Sequence, residues 1–65
     1  MQLYDIDNDK ILDTNIIEIK LYYNSNYIGT ITNVEKVSIF KQDKIYIALN
    51  NVSIIATSIK IVKII

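Results

Sequence analysis

Tyrosine and asparagine are the residue types in this sequence best suited to binding chemistry. Tyr22 and Tyr27 flank a short polar segment, residues 24–26, which contains two asparagines. Tyrosine rings can stack on a nucleobase, and asparagine amides can hydrogen-bond to its edge. The alternative is that these tyrosines pack across neighbouring strands, as aromatic residues commonly do. Tyr22 and Tyr27 are therefore candidate nucleotide-binding residues.

Four aspartates near the start of the sequence have part of the spacing of a calcium-binding loop: Asp5, Asp7, Asp9 and Asp13. The rest of that motif is missing, because Lys10 stands where the loop needs a glycine and Ile16 stands where it needs a bidentate glutamate. An acidic turn that faces water is the favoured interpretation, and no metal site is predicted.

The sequence lacks the usual components of covalent catalysis, since it contains no histidine and no cysteine. Serine or threonine would need a base within reach to act as a nucleophile. A Ser–Lys pair or a carboxylate pair involving Glu18 or Glu35 stays open on residue types alone. Most of the carboxylates, however, fall in turns or alternate with core residues. We therefore predict a protein that is not an enzyme and carries no cofactor.

Length and composition predict one small domain that needs a partner. A chain of 65 residues buries a modest fraction of its surface, and this one has no cysteine for disulfides. The absence of histidine and cysteine also makes structural zinc improbable. Hydrophobic residues make up 51% of the chain, which is more than a lone barrel of this size can easily bury. We therefore predict that the chain forms a homo-oligomer, in which part of this apolar surface is buried between subunits.

The charge balance predicts little attraction to phosphate backbones, and no segment resembles a secretion signal or a membrane span. Seven lysines balance seven acidic residues, so no basic stripe marks a nucleic-acid surface. The first residues are acidic, and no apolar run approaches the roughly 18 residues that a spanning helix needs. The sequence predicts a cytoplasmic protein with no membrane partner.

Apolar residues recur at every second position, which is the pattern of strands with one face in a core. Asparagine-rich turns separate these segments, and Gly29 in mid-strand predicts a bulge or bend. Residues 1–6 could add a short strand, and at most one helical turn is expected. The last segment, apolar on both faces apart from its lysines, should be paired rather than free. The predicted strands are residues 16–23, 27–32, 36–40, 44–49, 52–56 and 59–65.

Two motifs over residues 16–55 resemble those of the Sm-like/Hfq family of small β-barrels. In the first, alternating apolar residues lead through a short turn to a glycine, an apolar residue, an apolar–acidic pair and another strand. That order is followed by residues 17–21, 24–26, Gly29, Ile31, 34–35 (Val34 and Glu35) and 37–39. The second motif, a strand that passes through a tight turn into an apolar strand, is similar to residues 47–55.

The resemblance implies a nucleotide pocket at a subunit boundary. The positions that match the family's pocket are Glu35, Val37, Ser38, Asn50 and Asn51. Ala48 and Leu49 stand where the family carries Arg-Gly or Lys-His in contact with RNA. The family's helix before the first strand is not visible in residues 1–15, and residues 56–65 add a strand that the family lacks.

We thus predict an all-β domain over residues 1–65: a small, strongly bent antiparallel barrel or sandwich of five to six strands, Sm-like or SH3-like. The leading functional hypothesis is a non-enzymatic oligomeric module that binds a nucleotide or short RNA near a subunit interface. One alternative is a small phage- or plasmid-encoded inhibitor that blocks a host protein or sequesters a signalling nucleotide. A further alternative is a structural subunit that adds residues 59–65 to a partner's sheet.

Overall fold

β-Branched residues at alternate positions favour extended backbone through most of this chain. A computed structural model describes residues 1–64, which form strands and turns but no helix. The all-β prediction is therefore confirmed. The strands are β1 Gln2–Asp5, β2 Lys10–Asp13, β3 Ile16–Tyr23, β4 Asn26–Thr32, β5 Lys36–Lys41, β6 Ile45–Leu49, β7 Val52–Ala56 and β8 Ser58–Lys63.

The strands form two sheets rather than one closed barrel. A five-stranded sheet has the order β2-β1-β5-β6-β7, and a three-stranded sheet has the order β4-β3-β8. Neither sheet closes on itself within the described residues, so the predicted barrel is not confirmed. The chain passes between the sheets three times: between β2 and β3, where Asn15 has φ 58°; after β4, where Asn33 has φ 60°; and at Thr57, between β7 and β8.

The predicted count of five to six strands was too low, and the antiparallel prediction fails at one place. β1 lies within residues 1–6, where the sequence allowed a short strand, whereas β2 was not predicted because too few apolar residues alternate around it. β1 pairs with β5 in parallel, with Leu3 beside Val37 and Asp5 beside Ile39. All other neighbouring strands are antiparallel. The last predicted strand, residues 59–65, corresponds to β8, and Ile65 lies outside the described residues.

Apolar side chains from the two sheets meet in one core. Alternation along each strand sends every second side chain inward, as the buried Val37 and Ile39 of β5 illustrate. Both sheets contribute, so each covers the apolar face of the other. The buried residues are Leu3, Ile16, Ile19, Leu21, Ile31, Val37, Ile39, Ile47 and Ala56.

Backbone hydrogen bonds join the two sheets at their corners. The Met1 amino group donates to the Ile16 carbonyl at 2.8 Å, and the Ile16 amide donates to the Met1 carbonyl at 3.4 Å. At another corner the Thr57 amide donates to the Tyr22 carbonyl at 2.9 Å. These bonds satisfy polar backbone groups where the chain leaves one sheet for the other.

The β3–β4 hairpin has the turn and the bulge that the sequence predicts. Asn24 and Ser25 form the two-residue turn with φ of 49° and 69°, as a type I′ hairpin turn requires. Leu21 lies opposite Gly29, but Tyr22 lies opposite Tyr27. Ile28 is therefore an extra residue on β4, and Gly29 sits beside the resulting bulge with φ of 154°.

Replacing Gly29 with alanine should destabilise the protein by about 1–3 kcal/mol, because a φ of 154° is a conformation that side chains other than glycine rarely adopt. A Cβ at this position would meet no atom within 4 Å, so the expected cost is backbone strain rather than a clash. Urea denaturation followed by circular dichroism measures it. Asn26→Ala, at an exposed position on the same strand, is the control, and an equal loss in both variants would contradict the strain argument.

An ion pair between the sheets should make stability depend on pH. Lys63 Nζ lies 2.8 Å from Asp13 Oδ1, and its hydrogen bond holds the pKa of Asp13 below the ordinary 3.8. A carboxyl whose pKa is lowered on folding stabilises the protein above its unfolded pKa, and this stabilisation is lost as pH falls through the folded value. Lys63→Gln should therefore lower the unfolding midpoint at pH 7 but not near pH 2, modestly because the pair is partly exposed.

The control for this prediction is Lys60→Gln, on the same strand, because Lys60 makes no ion pair with any described residue. Carboxyl NMR titration provides the direct readout, in which the Asp13 pKa should rise in Lys63→Gln and stay unchanged in Lys60→Gln. A difference between Lys63→Gln and the parent that is the same at both pH values would show that the pair does not act through charge.

Candidate nucleotide-binding cleft

Three of the predicted site residues line one cleft in the five-stranded sheet. Glu35, Ser38 and Asn50 come from the segment before β5, from β5 itself and from the turn after β6. The cleft has a volume of about 480 Å³. Its other lining residues are Asn33, Val34, Lys36, Ala48 and Leu49. The pairing of β5 with β6 therefore brings together residues that are distant in the sequence.

Local backbone geometry shapes this cleft. Ser38 lies directly opposite Ala48 on the paired strands, and both side chains are small, which leaves space above the sheet. Asn33 and Asn50 have φ of 60° and 50°, a left-handed conformation that asparagine tolerates better than most residues. The Gln2 amide donates to the Glu35 carbonyl at 2.8 Å. The walls are thus held by backbone bonds, and the side chains stay available for a ligand.

The cleft offers donors, acceptors and one cation. The Asn50 amide can donate and accept, the Ser38 hydroxyl can do both, and an ionised Glu35 accepts only. Lys36 begins β5, and its Nζ lies 4.7 Å from the centre of the Tyr4 ring, which is within the range of a cation–π contact. Val34 and Leu49 add apolar surface.

A second cleft of about 700 Å³ lies on the other side of residues 34–36. Glu35 is the only predicted site residue in its lining, which otherwise includes Met1, Gln2, Asn15 and Ile64. This larger cleft is the gap at the corner where Met1 pairs with Ile16. We favour the smaller cleft as the site because it gathers more of the side chains that can read a base.

Tyr22 and Tyr27 lie together on the three-stranded sheet and do not line either of these clefts. Their ring centres are 5.9 Å apart with an interplanar angle of 65°, which is the edge-to-face arrangement that aromatic pairs favour. The Tyr27 hydroxyl is within 2.5 Å of Thr30 Oγ1, and Tyr27 is 60% exposed. The pair packs across strands while leaving one ring open to water, so the candidate residues fall into two separate groups.

Val37 and Asn51 take no part in the lining of the cleft. Val37 is 1% exposed, and its side chain belongs to the core. Asn51 is exposed in the turn beside Asn50. Sequence reasoning missed Asn33 and Lys36. The Thr-Asn break between two apolar segments was the signal that could have identified Asn33 as a turn residue.

An aromatic patch adjoins the cleft on the outer face of the same sheet. The Phe40 and Tyr46 rings stack with centres 4.8 Å apart and an interplanar angle of 8°. They border an apolar pocket of about 210 Å³ with Ile55, and Ala48 lines both this pocket and the cleft. The Tyr46 hydroxyl donates to Asp43 at 3.1 Å, which lowers the pKa of Asp43 and raises the pKa of Tyr46.

The acidic turn near the N-terminus directs its carboxylates to separate partners. Asp5 accepts from the Asn8 amide at 2.7 Å and from the Asp7 backbone at 3.1 Å, and the Asn8 bond holds the pKa of Asp5 below its ordinary range. The Tyr4 hydroxyl donates to Asp9, which raises the pKa of Tyr4. Among residues 1–64, no three acidic, histidine or cysteine side chains converge as a metal site would require.

These features define a small two-sheet β protein with a polar cleft. No protein-family model, curated protein or solved structure matches the chain at a significant level. The Sm-like/Hfq resemblance therefore stays a prediction. The described part of the chain contains no helix with the length and apolarity needed to cross a bilayer.

Proposed function

We propose that this chain is a non-enzymatic cytoplasmic module that assembles as a homo-oligomer and binds a nucleotide or short RNA near a subunit interface. The proposed binding site is the cleft of Glu35, Ser38 and Asn50. What supports it is that these three residues, which match the pocket positions of the Sm-like/Hfq family, line one cleft of about 480 Å³. That volume lies within the range of small-ligand sites, which is roughly 300–1,000 Å³.

The side chains suit a base more than a phosphate. Asn50 and Ser38 can each exchange hydrogen bonds with a base edge, and Glu35 can accept from an exocyclic amino group. Val34 and Leu49 pack partly against the core and add apolar edges to the cleft. Lys36 is the one cation in the cleft lining, and the chain has no net charge at pH 7. Affinity should therefore depend weakly on salt, because few phosphate counterions are released on binding.

Asn50→Gly should weaken binding of a mononucleotide by about tenfold, since a lost hydrogen bond to a base costs about 1–1.5 kcal/mol. Glycine is the appropriate replacement because Asn50 has φ 50°, which alanine would adopt only with strain. The probes are the four ribonucleoside monophosphates and fluorescein-labelled RNA hexamers, measured by calorimetry and fluorescence anisotropy. Asn51→Gly is the matched control, because Asn51 is in the same turn but outside the cleft lining.

Equal affinity of the parent and Asn50→Gly for every probe would overturn the proposed site, as would the absence of binding by the parent. A double variant, Tyr22→Ala with Tyr27→Ala, then separates the two classes of ligand. A ligand confined to the cleft should be unaffected. An RNA that reaches the three-stranded sheet should lose affinity, because base–tyrosine stacking is worth about 1–3 kcal/mol for each base.

The aromatic patch favours a second candidate, an inhibitor that binds another protein. Phe40, Tyr46 and Ile55 border an apolar pocket on the outer sheet face, and aromatic residues are enriched where proteins bind each other. Phe40→Ser should abolish such binding while leaving nucleotide affinity unchanged. Contacts through this pocket should also persist at high salt, because apolar contacts are not screened.

A further inference from the structure

The edges of the two sheets differ in how they are protected against pairing with another strand. β2 carries Lys10 and Asp13, β8 carries Lys60 and Lys63, and the bulge beside Gly29 interrupts β4. Charges and bulges are the devices by which sheet edges avoid unwanted pairing. Three of the four outermost strands therefore carry such a device.

β7 is the fourth outermost strand, and it has none of these devices. Its sequence is Val-Ser-Ile-Ile-Ala, with no charge, proline or glycine. Its pairing with β6 runs from Leu49 and Val52 to Ile45 and Ala56 without a register shift. No described strand pairs with its outer side. The edge is regular, uncharged and open.

The register of the β6–β7 hairpin identifies the backbone groups on this open edge. Directly opposite residues in an antiparallel pair alternate between those that exchange hydrogen bonds and those that do not. Leu49 and Val52 close the two-residue turn and form a hydrogen-bonded pair. Ser53 and Ile55 therefore direct their N–H and C=O groups away from β6, toward the open side. Val52 and Ile55 are also 54% and 46% exposed.

We propose that a second copy of this chain occupies the open edge, with β7 pairing antiparallel to β7 about a twofold axis at Ile54. The proposal deepens the oligomer part of the proposed function and rests on it. In this register Ser53 of each copy lies opposite Ile55 of the other, and each such pair exchanges two backbone hydrogen bonds. Val52 of each copy lies opposite Ala56 of the other. Two five-stranded sheets then become one continuous sheet.

The absence of charge on β7 allows the occupant to be another copy of the same strand. A strand that pairs with itself in antiparallel register brings its own side chains close to their counterparts, and like charges at such positions are destabilising. β7 has no charge to repel its copy, whereas β8 would bring together two sets of lysines. Identical strands related by a twofold axis also form a closed dimer rather than a fibre.

The pairing connects the edge to the cleft. With Ile54 on the axis, the turn at Asn50 and Asn51 comes beside residues 57–58 of the other copy. Asn50 lines the cleft, so the Ser58 hydroxyl would approach the cleft from across the boundary, whereas the Thr57 hydroxyl stays bound to Tyr22 and Asn24 of its own chain. The proposed ligand would thus lie next to the subunit interface.

The test is the mass of the parent protein by sedimentation equilibrium from about 10 µM to about 1 mM. A contact of five residues is smaller than the roughly 1,000 Å² of strong interfaces, so the mass should rise with concentration. It should approach about 15 kDa, which is twice the chain mass of 7.5 kDa. A monomer throughout would overturn the proposal and leave the edge for a strand of another protein.

Ser53→Pro provides the decisive variant. Proline removes one outward N–H without breaking a bond to β6 and is tolerated at such edge positions, so the variant should fold and stay monomeric. Ser53→Ala keeps the N–H and should dimerise like the parent. If Ser53→Pro fails to fold, Ile55→Lys replaces it, because two lysines would then face each other diagonally across the axis. Dimers of undiminished stability in the folded variant would overturn the proposal.

Hydrogen exchange distinguishes this edge from any other. The amides of Ser53 and Ile55 should exchange more slowly at high concentration than at low concentration, while that of Ile28 on β4 should not change. A dimer that protects other strands but not these amides would contradict β7 pairing. Neither sedimentation nor hydrogen exchange needs a nucleotide. Loss of dimerisation and loss of nucleotide binding at Asn50 are therefore separate results.

Discussion

Burial of apolar side chains between the two sheets is the interaction on which the rest of this protein depends. Three inward residues of the five-stranded sheet, Val37, Ile39 and Ile47, are each no more than 2% exposed, as is Ile19 of the other sheet. Full burial of such a side chain is worth roughly 1.5–3 kcal/mol. With no cysteine in the chain, no disulfide shares this work. Either sheet alone would expose its apolar face, so the sheets are stable only together.

The same alternation that fills the core also creates the outer surface. Because side chains on a strand point to opposite faces in turn, the residues between buried ones must face outward. Ser38 and Phe40 on β5 alternate with Val37 and Ile39, and Tyr46 and Ala48 on β6 alternate with Ile47. The cleft and the aromatic patch therefore lie on the outer faces of β5 and β6. The inner faces of these strands are buried, so packing in the core holds both surfaces in place.

Two small sheets have many edge strands for the volume that they enclose. Two small sheets expose four outermost strands, and each must be covered, charged or interrupted to avoid uncontrolled pairing. The lysines of β8 and the bulge of β4 protect these edges through residues of the edge strands themselves. An ion pair and backbone bonds at the corners then hold the sheets in one arrangement. β7 carries no charge and no bulge. This matters because the other outermost strands are protected against pairing, which leaves β7 as the open edge.

The sequence by itself determined the all-β character, the strands of residues 16–23 and 52–56, the turn at Asn24 and the bulge at Gly29. These features depend on the alternation of apolar residues and on the backbone preferences of turn residues. Both act within a few residues, so a short segment of sequence is enough to predict them. Only the tertiary structure decided that β1 pairs in parallel with β5, that the strands divide into two sheets, and that Glu35 and Asn50 line one cleft while Tyr22 and Tyr27 lie elsewhere. Such pairings join residues far apart in the chain, and they depend on which strand edges are free and which arrangement buries the most apolar surface. Neither the free strand edges nor the buried apolar surface can be deduced from a short segment of the sequence.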